Sequence, residues 1–423
     1  MTQETRSWLR ALHGLCAAVA ASGAALASDL PGANPDSVGM SAERLGRLSA
    51  ATHGWVDEGR IAGVVTLVAR RGHVVHLDAY GMADIEHNEP MTEDTYFRLW
   101  SMTKPVTSVA LLTLYEEGKF QLSDPLARYL PEFENVKVLA GVDEKGAILV
   151  EDPVRAPTVH DLFRHTAGFS YGSGPEPIRK LLQPSPYSEP SLEALTHRIA
   201  NVPLIYQPGT RWVYSFSHDI QARLVEVLSG MAFDDYTRER IFEPLDMDEV
   251  VFGLPAELAD RFANTYSPNE AGKLVATDTP EDTRYDSPPF GGTSLSGPVM
   301  DYARFAQMLV NSGELDGARI LSPTTVDLMA SNHLPDGVTR GSAGGGAASG
   351  EGYGLGVRVV IDPAKAGNLT SAGTFGWSGA AGTHFFVDRE EGLIAVFMVQ
   401  RQGPGGFGMS DQFETLVYQA IVD

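Results

Sequence analysis

The chain has 423 residues, with 32 Lys and Arg against 54 Asp and Glu, so its formal net charge is −22. This length accommodates about two to three domains, or one large two-part unit, around an ample hydrophobic core. Because such a negative surface repels phosphate backbones, the composition argues against a nucleic acid partner.

The N-terminal segment, residues 1–27, has the pattern of a secretory signal peptide. Arg6 and Arg10 precede an Ala-rich stretch, and Ala25-Leu26-Ala27 has the small-x-small form of a cleavage site. We therefore expect a periplasmic or secreted protein; the alternative is a frayed N-terminal helix on a cytoplasmic protein. The single cysteine, Cys16, lies in this segment, so a mature form would have no disulfide and no thiolate metal ligand. No later stretch is long and apolar enough to predict a membrane span.

The remaining elements alternate in type along the chain. A helix is predicted over residues 41–58, followed by a hairpin of strands over 64–69 and 74–80. The later predictions are helices over 159–164, 191–200, 219–228 and 233–241, strands over 355–361, 383–387 and 393–399, and a last helix over 412–421.

Strands near both ends of the chain flank a helical middle. This order predicts an α/β (α+β) fold, with one antiparallel sheet built from both ends and a helical insertion. The predicted parts are residues 28–121 and 276–423 for the α/β domain and residues 122–275 for the helical domain. The stretch 341–352 is nearly all Gly, Ala and Ser, which predicts a flexible loop and a candidate lid.

Three apparent motifs are interpreted as incidental. Ser170 lies in a G-x-S-x-G match, but the residues before it look helical, so we expect a loop rather than a nucleophile elbow. The G-x-G-x-x-G match at 403–408 is too close to the end of the chain for a dinucleotide-binding unit, and we interpret it as a turn. His73 and His76 would point to opposite faces of a strand, which makes them a poor metal pair.

The most informative motif is Ser101-Met102-Thr103-Lys104, followed by Pro105 and an apolar run that ends at Gly118. A serine and a lysine three residues apart at the start of a helix share a face, so the amine can reach the hydroxyl. A desolvated neutral lysine can take the proton that makes a serine hydroxyl nucleophilic. The alternative interpretation is a serine helix cap followed by a solvated lysine.

Two further segments extend this motif. Tyr214 lies in the run 208–215, just before a predicted helix, and Trp377-Ser378-Gly379 lies in a small-residue turn over 376–383. With these three motifs in this order, the chain resembles the serine β-lactamase and penicillin-binding-protein superfamily. It is most similar to the class C β-lactamase-like carboxylesterases of bacterial family VIII. Other matching stretches lie at 162–168, 301–309 and 321–323, and the resemblance covers about residues 38 to 400.

The resemblance implies a β-lactamase-like fold and assigns roles to several residues. Ser101 would be the acylated nucleophile, Lys104 the group that deprotonates it, and Tyr214 a partner that shares or relays the proton. The oxyanion would be bound by the backbone N–H groups of Ser101 and Ala380. The resemblance implies a small-molecule ester substrate and no cofactor or metal, and the oligomeric state is left open.

Two departures from the superfamily pattern concern the substrate pocket. Trp377, Ser378 and Gly379 stand where β-lactamases have Lys-Thr-Gly, so the cation that meets an antibiotic carboxylate is missing. Phe216 stands where β-lactamases have an asparagine. An apolar pocket edge cannot offset the desolvation of a carboxylate, but it can bury an acyl or alcohol chain at about 25 cal/mol per Å².

The sequence therefore predicts a serine carboxylesterase for short- to medium-chain esters. Three alternatives stay open: a β-lactamase or D-alanyl carboxypeptidase, an acyltransferase that uses the same acyl-enzyme, and a binding module with an inactive site.

Overall fold

The computed structural model describes residues 29–278, 287–341, 349–403 and 408–423. The predicted signal peptide, most of the predicted loop over 341–352 and residues 404–407 of the glycine-rich match lie outside the described residues.

The helices follow the order that the sequence predicts. Ser41 caps α1 by accepting a hydrogen bond from the backbone N–H of Arg44, and Thr158 and Asp161 form a capping box at α3. The helices are α1 (Ala42–Asp57), α2 (Thr103–Glu116), α3 (Val159–Phe163), α4 (Glu176–Leu181), α5 (Leu192–Ala200), α6 (Ser217–Ser229), α7 (Phe233–Thr237), α8 (Val299–Val310), α9 (Pro323–Met329), α10 (Pro363–Ala366) and α11 (Gly408–Tyr418).

The strands include the predicted N-terminal hairpin, whose turn is Arg71-Gly72. In chain order they are β1 (Gly63–Arg70), β2 (His73–Asp84), β3 (Glu89–Pro90), β4 (Phe97–Arg98), β5 (Val138–Val142), β6 (Ile148–Glu151), β7 (Val251–Phe252), β8 (Thr265–Pro268), β9 (Leu274–Asp278), β10 (Leu295–Gly297), β11 (Glu314–Leu315), β12 (Ala318–Arg319), β13 (Glu351–Tyr353), β14 (Arg358–Val360), β15 (Phe375–Ser378), β16 (His384–Asp388) and β17 (Leu393–Met398).

The main sheet has the order β13-β14-β15-β16-β17-β1-β2-β3, and its pairings are antiparallel. The pairing of β1 with β17, with Val65 opposite Met398, joins the two ends of the chain in one sheet. This confirms the predicted antiparallel sheet. The numerical domain boundaries stay a prediction.

Helices cover both faces of the sheet. One face packs against α8, and the other packs against α1 and α11. On α2, the residues from Thr103 to Leu114 are all buried, because α2 lies in the main core and packs against α6 of the helical part. The start of α2 therefore lies where the sheet part and the helical part meet.

Two local predictions were imprecise. Trp377 and Ser378 lie in strand β15 rather than in a turn; the turn begins at Gly379. The small residues on both sides of Trp377 interrupt the alternation of apolar and polar residues by which a strand is recognised in a sequence. The strand predicted over 355–361 is confined to Arg358–Val360.

Ser170 lies in a loop, as predicted, and its hydroxyl donates to Ser173 O at 3.2 Å. Within the described ranges, no helix has the length and apolar character needed to cross a membrane.

Candidate active site

Ser101 lies in a short 3₁₀ helix, Trp100–Met102, that leads directly into α2. The residue before it, Trp100, has a φ of 48°, a left-handed conformation that non-glycine residues rarely adopt. Such strain persists only where the surroundings hold it, and it occurs often at functional sites. The N-cap of α2 is Met102, so Ser101 does not serve as the helix cap.

Two short strands hold the start of α2. β4 ends just before Trp100 and pairs with β10, which begins just after Gly292. Leu99 N–H donates to Leu295 O at 2.9 Å, and Leu295 N–H donates to Thr103 Oγ1 at 3.0 Å. This pairing brings the Ser101–Lys104 turn against the backbone of Gly292.

Lys104 is only 1% exposed. Its Nζ lies 3.0 Å from Ser101 Oγ and 2.6 Å from the carbonyl oxygen of Gly292. Nζ also lies over two aromatic rings, at 4.7 Å from the centroid of Tyr214 and 5.6 Å from that of Tyr171. A lysine is almost never buried without specific partners. Here the Gly292 carbonyl and the rings of Tyr214 and Tyr171 hold Nζ beside the Ser101 hydroxyl.

Tyr214 joins the helical part of the chain to strand β15. Its ring lies against Lys104, and its hydroxyl accepts a hydrogen bond of 3.1 Å from Trp377 Nε1. The structure therefore brings Ser101, Lys104, Tyr214 and Trp377 together, although they are up to 276 residues apart in the chain.

The turn after β15 packs against the segment that precedes Ser101. Thr383 Oγ1 donates to Leu99 O at 3.3 Å, and Gly379 N–H donates to Thr383 O at 2.7 Å. A Cβ on Gly379 would lie 2.5 Å from Leu99 O, so only glycine permits this approach. Ala380 follows directly and is exposed. Its role as an oxyanion donor stays a prediction.

The pocket residues named from sequence divide into two groups. Trp377 and Ser378 are half-buried and so reach the surface, and Gly379 is buried between them and the Ser101 segment. Phe216 is only 3% exposed, and its ring packs on Tyr171 with centroids 4.4 Å apart. Phe216 is thus buried in an aromatic cluster with Tyr171 and Tyr187, and its role in the substrate pocket stays a prediction.

Asp219, in the first turn of α6, was not recognised from the sequence as part of the site. Its carboxylate accepts hydrogen bonds from Gly292 N–H at 2.9 Å and from Tyr187 Oη at 3.2 Å. Since the carbonyl of the same Gly292 accepts from Lys104, Asp219 helps to fix the lysine's partner. Burial raises the pKa of Asp219 to about 6, although the Lys104 charge opposes the rise. An acidic residue five positions after Tyr214 was too weak a signal to find.

Two buried histidines lie next to the same site. His165 packs 4.8 Å from the Tyr214 ring and 4.9 Å from the His218 ring, measured between centroids. Burial lowers the pKa of both histidines well below the usual value, and the charge of Lys104 lowers it further. Both rings are therefore neutral near pH 7 and add no positive charge beside Lys104.

Among the described ranges there is no cluster of three or more His, Cys, Asp or Glu side chains that could hold a metal ion.

The fold and this site define a class of protein in which a serine, a lysine and a tyrosine meet beside strand β15 of an antiparallel sheet. The Beta-lactamase family model matches residues 47–419, so the chain belongs to that family. An uncharacterised protein of Mycobacterium tuberculosis is 36% identical over 352 residues, covering 81% of this chain and 87% of that protein.

Several similar proteins carry functional names, and two of them are esterases or hydrolases with high coverage. Esterase EstB of Burkholderia gladioli is 31% identical over 388 residues, covering 86% of this chain and 92% of that protein. The solved structure of EstCE1, a hydrolase with promiscuous acyltransferase activity, has a TM-score of 0.74 and 26% identity, covering 90% of this chain and 99% of that one. These likenesses confirm the predicted fold and the resemblance to β-lactamase-like esterases.

Proposed function

We propose that this protein is a serine carboxylesterase that hydrolyses short- to medium-chain esters through an acyl-enzyme on Ser101. The proposal rests on one observation: the Nζ of the buried Lys104 lies 3.0 Å from Ser101 Oγ. In the neutral amine this contact reverses, so that the hydroxyl donates to the nitrogen lone pair and can transfer its proton.

The reaction has two stages, acylation of Ser101 and hydrolysis of the acyl-enzyme. Lys104 takes the Ser101 proton, Ser101 Oγ attacks the ester carbonyl, and the backbone N–H groups of Ser101 and Ala380 stabilise the oxyanion. The proton then passes to the leaving alkoxide by way of Lys104 and Tyr214, and an alcohol departs. A water molecule then attacks the acyl carbonyl and gives a proton to Lys104 and Tyr214. The C–O bond to Ser101 breaks, that proton returns to Ser101 Oγ, and a carboxylic acid leaves. Loss of one oxyanion donor typically costs about 3 to 4 kcal/mol of barrier stabilisation.

The pocket favours neutral substrates. Trp377 occupies the position of a cation that would attract a carboxylate, and its indole N–H is directed to Tyr214 Oη. The prediction of a carboxylic ester hydrolase agrees with Esterase EstB and with EstCE1, which is named as a hydrolase. The predicted export of the chain through residues 1–27 would place the esterase in the periplasm or outside the cell.

The experiment compares Ser101→Ala with Ser170→Ala, because Ser170 is the other serine in a hydrolase-like motif. We expect Ser101→Ala to abolish both turnover of p-nitrophenyl butyrate and labelling by a fluorophosphonate probe. Ser170→Ala should keep both, with mass spectrometry locating the label on Ser101. Turnover that survives in a folded Ser101→Ala protein would refute the proposal, as would a label on Ser170.

Acyl transfer is the second candidate, because the same acyl-enzyme can be attacked by an alcohol and EstCE1 is named for promiscuous acyltransferase activity. An added alcohol acceptor would then give a new ester at the expense of free acid. The β-lactamase alternative is tested by comparing the turnover of nitrocefin with that of a butyrate ester. Faster turnover of nitrocefin would favour a β-lactamase over an esterase.

A further inference from the structure

Both oxygens of the Asp219 carboxylate are held by donors from other segments of the chain. Oδ1 accepts from Gly292 N–H at 2.9 Å, and Oδ2 accepts from Tyr187 Oη at 3.2 Å. Tyr187 lies in a short 3₁₀ helix, Pro186–Ser188, whereas Gly292 lies just before β10. Asp219 is fully buried, so these two donors rather than bulk water fix the direction of the carboxylate.

Gly292 is the point at which this carboxylate meets Lys104. Its carbonyl accepts from Lys104 Nζ at 2.6 Å, while its N–H donates to Asp219. A Cβ at this position would lie 2.7 Å from Asp219 Oδ2 and 3.0 Å from Tyr187 Oη. Because glycine has no Cβ, the phenol, the carboxylate and the lysine can all approach one residue. Tyr187 thus reaches the lysine through Asp219 and Gly292.

A second phenol determines where the Tyr187 proton points. Tyr187 Oη lies 3.3 Å from Tyr171 Oη, and the Tyr171 ring lies beside Lys104 Nζ. Burial raises the pKa of both phenols well above the usual value, and the charge of Asp219 raises it further, so both keep their protons. An ionised carboxylate only accepts, so Tyr187 donates its single proton to Asp219 and accepts from Tyr171.

The hydrogen bond from Tyr187 favours the charged form of Asp219. Burial raises the pKa of Asp219 to about 6, while Lys104, the N–H of Gly292 and the hydroxyl of Tyr187 oppose the rise. Lys104 faces the carboxylate from α2 and Tyr187 faces it from the 3₁₀ helix. Within α6 the neighbouring His218 is neutral, because burial lowers its pKa well below the usual value. Loss of the phenol hydroxyl would therefore let Asp219 gain a proton at a higher pH.

We propose that Tyr187 is a positioning residue of the esterase, which acts through Asp219 by keeping its carboxylate charged and aligned on Gly292. The proposal rests on the esterase function and concerns the same site. A charged Asp219 stabilises the ammonium that forms when Lys104 accepts the Ser101 proton. Tyr187 itself touches neither the ester nor the reacting atoms in this proposal.

The test is the pH dependence of kcat/KM for p-nitrophenyl butyrate in Tyr187→Phe. Phenylalanine keeps the ring contacts with Phe216 and Phe290, whose centroids lie 5.3 and 5.0 Å away, and removes the donor. A hydrogen bond to a charged group is strong enough that the pH of half-maximal rate on the acidic side should rise by about one unit. At about pH 5 the variant should be about tenfold slower than the wild type, whereas at about pH 8.5, with Asp219 ionised in both proteins, the rates should agree within about threefold.

Tyr236→Phe is the matched control, because this buried phenol pairs with Thr113 Oγ1 at 2.7 Å rather than with Asp219. It should keep the wild-type pH profile. A folded Tyr187→Phe protein with the wild-type profile would overturn the proposal. A raised KM with unchanged kcat at every pH would also overturn it, since the phenol would then contact substrate instead of acting through Asp219.

A second measurement does not depend on esterase activity. In urea unfolding, the stability of the wild type should fall with rising pH up to about pH 6, because the folded protein retains the Asp219 proton that the unfolded chain releases. In Tyr187→Phe this fall should continue to about pH 7. An unchanged curve would overturn the proposal, and so would the same extension when Tyr187→Phe is added to Asp219→Asn.

Fluorophosphonate labelling of Ser101 separates the two levels of the proposal. An unlabelled wild type would refute the esterase, whereas the urea curves report on the pairing of Tyr187 with Asp219 alone.

Discussion

The Asp219→Asn substitution removes one buried charge beside Lys104 and keeps the shape of the side chain. Burial places the carboxyl pKa at about 6 in the folded protein, against an ordinary value of 3.8. Between these values the folded state retains a proton that the unfolded state releases, so stability falls as the pH rises through this window. One pKa unit is worth about 1.4 kcal/mol, so the difference between the two pKa values corresponds to about 3 kcal/mol in the free energy of unfolding. This stabilisation is fully lost above pH 6. An asparagine cannot ionise, and its amide oxygen can still accept from Gly292 N–H.

Urea unfolding followed by tryptophan fluorescence at pH 4, 5, 6 and 7 measures this difference. Relative to the wild type, Asp219→Asn should gain about 2.5 kcal/mol between pH 4 and pH 7, less than the full interval because the unfolded carboxyl is already more than half ionised at pH 4. Asp301→Asn is a matched control, since burial also raises the pKa of Asp301 to about 6, yet its carboxylate accepts from the backbone N–H groups of Glu249 and Val250. The control should show a similar gain in stability.

Activity separates the two variants. An ionised Asp219 stabilises the ammonium that forms when Lys104 accepts the serine proton, so the wild-type rate should fall as the pH drops below about 6. In Asp219→Asn this acidic limb should disappear, with a plateau about tenfold lower, whereas Asp301→Asn should keep the wild-type profile. A pH–stability curve of Asp219→Asn parallel to that of the wild type would refute the electrostatic reasoning.

Three other predictions concern the same site. Gly292→Ala should strongly reduce ester turnover, because its Cβ would lie 2.7 Å from Asp219 Oδ2; Gly54→Ala, with nothing within 4 Å of its Cβ, should keep it. Trp377→Phe removes the indole hydrogen bond to Tyr214, so kcat/KM should fall about two- to tenfold, and an unchanged value would mean that the bond does not position the phenol. The exported protein should have lost the predicted signal peptide, which intact-mass spectrometry measures; an uncleaved mass would contradict export by this route.

Local patterns in the sequence predicted much of this fold. Two strand-like runs on either side of Arg71-Gly72 located β1 and β2, and a helical pattern from Ser41 located α1, because these signals depend on neighbouring residues only. Strand β15 was missed, since Gly376 and Gly379 weaken its periodicity and its stability comes from pairing with β14 and β16. Its conformation is therefore a consequence of the sheet.

The active site also has one part that the sequence predicts and another that only the folded structure shows. By itself, the sequence determined that Ser101 and Lys104 share one helical turn, because that proximity needs only a spacing of three residues. It could not determine that Gly292 and Asp219 complete the surroundings of Lys104. Nor could it determine that Ser378 of β15 contacts His384 of β16, which in turn contacts Glu414 of α11. Those contacts join residues that are distant in the chain, and the pairing of β4 with β10 and the packing of α11 on the sheet decide them. The burial that shifts the pKa values of these groups also exists only once the two parts of the chain have packed together.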